Sequence, residues 1–185
     1  MREKDWVPVP GSPKARLAEL ALQAFGEYGY EGVNVVELAA AAGLTTGSLY
    51  HHFESKLGLY GVVRDEMERR ILDRMEGAAE GVLATGPGEQ AEARPEAALR
   101  AALLVGFDAA LKQQAARLLS EQDPRGGTDP IAALLAGLGP AGMPELALLL
   151  AAAWRAALAA AAAKPDAAPA LRRALERLLS AERPG

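Results

Sequence analysis

Thr-Thr-Gly-Ser-Leu-Tyr-His-His-Phe-Glu-Ser-Lys, residues 45–56, directly follows Ala-Ala-Ala-Ala-Gly-Leu at residues 39–44. Thr45 is a side-chain cap for a short helix whose larger apolar positions are Leu49, Tyr50 and Phe53. Its head is polar (Thr46, Gly47, Ser48), and His51 and His52 flank the aromatic end. Gly43 before it supplies a left-handed or closely packed turn, and Leu44 fills the angle between this helix and the preceding one.

Working toward the N-terminus, Asn34 caps a second short helix that carries Val35, Leu38, Ala39 and Ala42 on one side. Ser12 and Pro13 open a longer first helix. Its Leu17, Leu20, Ala21, Ala24, Phe25 and Tyr28 recur at helical spacing, and Gly29 ends it. These three helices, the last two joined by a glycine turn, form a helix-turn-helix unit, in which the third helix is the one offered to a DNA groove. Downstream, Ser55 caps a long amphipathic helix through Leu59, Val62, Val63, Met67, Ile71, Leu72 and Met75 toward Leu83. Its exposed face is expected to carry Arg64, Asp65, Glu66, Glu68, Arg69, Arg70 and Asp73. Thr85 to Arg94 reads as a loop. A helix opened by Pro95 is then expected through Leu118, kinked near Gly106. A short helix at Ile131 to Leu138 follows a polar loop, and a Gly/Pro hinge at 137–144 leads to two last helices, 144–163 and 167–181. No strand pattern occurs, so the expected fold class is all-α. The unit at 1–54 comprises an N-terminal arm and the helix-turn-helix, and residues 55–185 form a helical domain for effector binding and dimerisation.

Composition narrows the function. The 185 residues are half hydrophobic and contain no cysteine, so a core is available while thiolate metal sites and cysteine nucleophiles are excluded. The charged, proline-containing N-terminus is unlike a secretory signal, and the expectation is a cytoplasmic protein. Leu146 to Ala163 is apolar except for Arg155, yet alanine-rich, and it reads as a bundle helix with no membrane role. The formal charge is −4, which argues against a general electrostatic coat for nucleic acid. Both histidines lie at 51 and 52, the hydroxyl side chains are scattered, and no convergent acid/base set appears, so neither catalysis, a metal nor a cofactor is expected.

The pattern resembles the tetracycline-repressor-like (TetR) family of transcriptional regulators. The matching residues are Ala24-Phe25, Tyr28 to Gly32, Val35, Glu37-Leu38-Ala39, Ala42-Gly43-Leu44, Gly47 to Phe53, and Ser55-Lys56. The resemblance implies a ligand-responsive repressor that binds a palindromic double-stranded operator as a homodimer. It places Thr45, Tyr50 and Lys56 on phosphates and Thr46, Gly47, Ser48 and His51 at base edges or adjacent backbone, with Asn34 and Lys14 nearby and His52 structural. Many relatives have arginine at the position of Val36 and lysine or arginine at that of Thr46. Their absence shifts weight to the arm (Arg2, Lys4, Lys14, Arg16). A small hydrophobic or amphipathic effector is expected among Leu103, Phe107, Leu111, Leu118, Leu134, Leu135, Leu148 and Trp154, with Asp108, Lys112, Arg117 and Arg155 as polar anchors. A dimer interface is expected at Leu146, Leu150, Leu158, Leu171, Leu175 and Leu178, continuing to Leu179. The competing reading is a helical small-molecule or lipid-binding module without sequence-specific DNA binding.

Overall fold

The computed structural model describes residues 12–84, 94–139 and 143–178. Among these the regular elements are helices: α1 (Pro13–Gly32), α2 (Val35–Ala41), α3 (Thr46–Phe53), α4 (Lys56–Leu83), α5 (Arg94–Lys112), α6 (Ala116–Ser120), α7 (Pro130–Leu138), α8 (Pro144–Ala163) and α9 (Ala168–Leu178), with a 3₁₀ turn at Pro165–Ala167. The all-α expectation holds. Arm residues Arg2 and Lys4, the loop at 85–93, part of the hinge (140–142) and Leu179 lie outside the described residues.

The caps form where the sequence places them. Ser12 accepts from the Ala15 N–H at 3.1 Å, Asn34 from Val36 at 2.9 Å, Thr45 from Ser48 at 3.1 Å and Ser55 from Gly58 at 2.9 Å. Each satisfies a donor that the first helical turn leaves unpaired. Gly43 takes φ 71°, a conformation that a side chain would strain. Leu17, Ala21, Phe25, Leu38, Ala39, Leu49 and Phe53 close one small core among α1, α2 and α3. Tyr28 departs from its expected place on the α1 face and is exposed, because Gly29 turns the chain out of helical geometry beside it (φ 71°, ψ 178°).

α4 is the strut between this unit and the rest. Its first half packs on α1 and α3, and α5 runs back along it, so that Met75 of α4 lies against Gly106 of α5. A Cβ at Gly106 would approach the Met75 Sδ to 2.7 Å, so this glycine serves close helix contact. No break occurs there. α5 stops instead at Lys112, where Gln114 adopts φ 56°, and α6 begins as a separate helix. Gln-Gln carries no turn signal, which is why the two helices read as one. A second correction concerns the face of α4. Arg64, Glu66 and Glu68 are buried: α6 and the segment after it cover Arg64 and Glu68, which the amphipathic pattern assigns to solvent, and Glu66 is held between Arg69 and Arg70 of α4 itself.

α8 receives α6, α7 and α9. By length and composition, Glu145–Ala163 could cross a membrane, with a mean hydropathy of 1.9. Within it, Arg155 pairs with Asp129 at 2.7 Å and also donates to the Leu119 carbonyl, which ties α8 into the bundle. Asp129 further caps α7 by accepting from Ile131 and Ala132. Burial pushes the Asp129 carboxyl up, but Arg155 and the two backbone donors outweigh it and hold the group below its usual range. A depressed carboxylate contributes stability above its unfolded pKa and loses it as pH falls through the folded value. Asp129→Ala is therefore expected to cost about 2–3 kcal/mol near neutrality, the sum of a cap and a charge-assisted bond. The gap should close as urea midpoints are measured at pH values falling through and below the ordinary carboxylate range. A deficit constant down to strongly acidic pH would contradict the linkage.

Candidate nucleic-acid interface

The α1–α3 core turns Leu49 and Phe53 inward, and the opposite side of α3 is thereby forced out. Thr45, Gly47, Tyr50, His51 and His52 are exposed, while Thr46 and Ser48 are half-buried. The two imidazoles lie 5.5 Å apart, and His52 also meets the Phe53 ring edge at 6.3 Å. His52 is thus on the surface rather than packed against α1. Tyr50 is 44% exposed, so its hydroxyl is open to an external partner.

The cations bordering this face are positioned by aromatic rings and carbonyls. Lys14 lies 5.7 Å from the Phe53 ring centroid. Lys56 lies 4.8 Å from that of Tyr30 and donates to the Glu31 carbonyl at 3.3 Å. Arg16, grouped with the arm on sequence, instead donates to the Ala42 carbonyl at 2.8 Å and ties α1 to the glycine turn. Asn34 has its side chain engaged twice within α2, through the cap and through donation to Glu37 at 3.1 Å. The expected interface residues Lys14, Thr45, Thr46, Gly47, Ser48, Tyr50, His51 and Lys56 thus cluster around α3, whereas Asn34 stands at the α2 start as a cap.

This surface suits a polyanion. Hydroxyls and open backbone N–H groups gather at the positive end of α3, with two lysines at its borders. The match to known proteins falls on the same residues: 17–63 fit the family of bacterial regulatory proteins described as the tetR family. Residues 17–63 thus form a TetR-family unit. The transcriptional repressor KstR2 of Rhodococcus jostii is 37% identical over 73 residues, which are 40% of this chain and 34% of the repressor. The chain therefore spans about a third of the length of that curated relative in the match. Solved TetR-type folds extend further. The fatty acid degradation regulator FadR of Bacillus halodurans superposes with TM-score 0.64 at 16% identity, covering 96% of this chain and 99% of that one. A putative tetR family transcription regulator from Shewanella sp. PV-4 gives TM-score 0.63 at 17% identity, over 91% and 96% of the two chains. At such identity the likeness is one of fold.

The remaining expected sites, outside this TetR-type unit, fare differently. Leu103, Phe107, Leu118, Leu135 and Trp154 are all buried in the helical core, and Leu111 and Leu134 pack at its edge. Helical spacing marked these residues correctly as apolar interior, but helical spacing does not distinguish a filled core from a cavity wall. Leu148 is exposed, Asp108 pairs with Arg172 at 2.9 Å, and Arg117 donates to the Glu27 carbonyl at 3.1 Å. Of the expected effector residues, Leu111 and Arg117 border a cleft of about 780 Å³ between α1, α6 and the end of α8, and Arg155 borders another of about 730 Å³ between α4 and the 120–130 segment. Six carboxylates line that cleft (Asp65, Glu68, Asp73, Glu76, Asp123, Asp129) against four guanidinium groups (Arg64, Arg69, Arg125, Arg155).

The dimer expectation also needs correction. Leu150, Leu158 and Leu175 are buried inside the chain, and Leu146 and Leu171 pack against the same core. The outward stripe of α8 is instead Leu148, Leu149, Ala152, Ala156, Ala159, Ala160 and Ala163, continued on α9 by Ala174 and Leu178. In an alanine-rich helix the period alone does not select which of two apolar faces turns inward.

Sequence reasoning missed one further set, centred on Arg64. Its Nε donates to Glu68 at 2.9 Å, and its Nη1 donates to the Tyr60 hydroxyl and the Leu118 carbonyl at 2.8 Å and to the Glu121 carbonyl at 3.0 Å. Burial lifts the Glu68 carboxyl above its usual range despite Arg64 beside it. The available signal was the Tyr60-Arg64-Glu68 spacing of four, which aligns three polar ends on one strip of α4.

Proposed function

We propose that this chain is a cytoplasmic, non-enzymatic transcriptional repressor that binds a near-palindromic DNA operator as a homodimer and responds to a small ligand. The observation that carries the DNA-binding part is the exposed polar side of α3, with Tyr50 and His51 open and Lys14 and Lys56 at its borders. Thr45, Tyr50 and Lys56 bind phosphates in this reading, and Thr46, Gly47, Ser48 and His51 face the groove. Two copies joined through the outward stripe of α8 and α9 would set two reading helices about 34 Å apart, one turn of B-DNA.

The ligand expectation changes with the fold. Most of the leucines expected around an effector are buried in the core, whereas the charged cleft beside α4 suits a small polar ligand. It lies in the C-terminal bundle and shares Arg64 with the contacts that reach α6, so its occupant has a route to the DNA-binding unit.

The test is selection from a pool of randomised duplexes with the full chain, followed by binding titrations. A symmetric motif should emerge, and Tyr50→Phe should weaken binding to it about ten-fold, the equivalent of one hydrogen bond to a charged group. Equal binding to every duplex at low salt, with no motif enriched, would favour the ligand-binding module without sequence-specific recognition. Unchanged affinity in Tyr50→Phe would confine that residue to packing.

A further inference from the structure

The joint between the α1–α3 unit and the C-terminal bundle contains two kinds of contact. One is aromatic: Tyr60 of α4 meets Phe25 and Tyr30 edge-on, each at 5.0 Å between centroids. Such packing holds the two parts together but fixes their relative angle weakly, because apolar contact is not directional. The other kind is directional. At the break in α1, the Tyr30 N–H donates to Glu121 Oε2 at 3.0 Å, across 91 residues of sequence. Arg117 donates from Nη1 to the Glu27 carbonyl at 3.1 Å and from Nε to Glu121 Oε1 at 3.4 Å. Gly29, with φ 71°, lets the backbone come so close that a Cβ there would collide with Glu121 Oε1.

Behind this contact, Arg64 grips the carbonyls of Leu118 and Glu121 and so fixes both ends of the short segment that presents the carboxylate. Arg64 also stands 3.5 Å from Asp123, and both residues line the charged cleft. A continuous polar path therefore runs from the cleft wall through α6 to the end of α1.

We propose that Glu121 is a positioning residue: with Arg117 it forms a latch that sets the angle of the α1–α3 unit on the bundle, and the latch is anchored through Arg64 and Asp123 in the cleft wall. A ligand that competes for those two groups would loosen the anchor and turn α3 away from its matched spacing. The proposal rests on the reading that α3 contacts DNA, but its first test is independent of DNA.

The sequence has no cysteine, so Ala41→Cys in α2 and Ala133→Cys in α7, both at exposed positions, give clean attachment points for two spin labels. The labelled full-length chain is diluted with unlabelled protein and its label separations are read by pulsed dipolar spectroscopy. A single narrow separation is expected in the parent. Glu121→Ala should broaden it or shift it by several ångströms, as should Asp123→Asn, which changes only the cleft side. Glu121→Gln, which keeps an oxygen able to accept from Tyr30, should restore the parent distribution. Arg117→Ala guards against misfolding, because that side chain is 47% exposed, and it should act in the same direction as Glu121→Ala. Identical distributions in the parent, Glu121→Ala and Arg117→Ala would overturn the latch. With a duplex enriched by the parent protein, two base pairs inserted between half-sites should weaken parent binding ten-fold or more and Glu121→Ala binding less than three-fold. A parent-like spacing profile in that variant would likewise overturn the latch, whereas failure to enrich any duplex would remove the DNA-binding reading and leave the label separations to judge the joint.

Discussion

Arg64→Ala is expected to lower the unfolding free energy by about 3–5 kcal/mol, the range for removing one partner from a buried ion pair. The Arg64 side chain is 2% exposed and that of Glu68 10%, so water replaces little of what the guanidinium supplied. The variant leaves the Leu118 and Glu121 carbonyls, the Tyr60 hydroxyl and the Glu68 carboxylate without their shared donor. Each orphaned buried group carries its own desolvation cost, which is why the loss exceeds that of a surface ion pair. The pH dependence has a definite sign. Glu68 is raised by burial in the parent, with Arg64 opposing, and removing Arg64 raises it further. A raised carboxyl contributes stability below its unfolded pKa and loses it as pH rises through the folded value. The deficit of Arg64→Ala should therefore shrink as the solution is acidified toward the carboxylate range and Glu68 takes up a proton. Urea unfolding at a series of pH values measures this. A deficit under about 1 kcal/mol at neutral pH would mean that the cluster is solvated and does not anchor α6.

The second large effect concerns assembly. Leu148 and Leu149 are 62% and 68% exposed on one chain, side by side on the outward stripe of α8. Alanines at 152, 156, 159, 160 and 163 extend the stripe and allow close approach of another helix. Charging it by Leu148→Glu with Leu149→Glu should yield a monomer by sedimentation, since two carboxylates per chain would be buried opposite their copies. Operator binding should fall about 100-fold or more, because linked half-sites gain from effective concentration and a lone reading helix does not. The helical content should persist, as neither leucine belongs to the protomer core. A dimer of unchanged mass would place the interface elsewhere.

The N-terminal unit was legible because its determinants are local. Caps at Ser12, Asn34, Thr45 and Ser55 act within three residues, and Gly43 needs only its own backbone conformation. Short helices around one small core leave a single consistent assignment of inner and outer faces, so the exposure of Tyr50 and His51 follows from the burial of Leu49 and Phe53. The break at Gln114 was not legible, because the turn is stabilised by packing against α1: a Cβ at Gly26 would approach the Gln114 carbonyl oxygen to 2.6 Å.

Sequence by itself determined an all-helical chain, the helix-turn-helix with its caps and turn, and the set of side chains presented by α3. Hydrogen bonds over a few residues and a 3.6-residue period are enough to specify these. Tertiary structure alone decided which face of α8 turns outward, that most of the leucines expected around a ligand lie in the buried core, and that Arg64 meets the Leu118 and Glu121 carbonyls. The last of these rests on contacts 54 and 57 positions apart, where burial by a distant helix overrides the polarity of a local pattern.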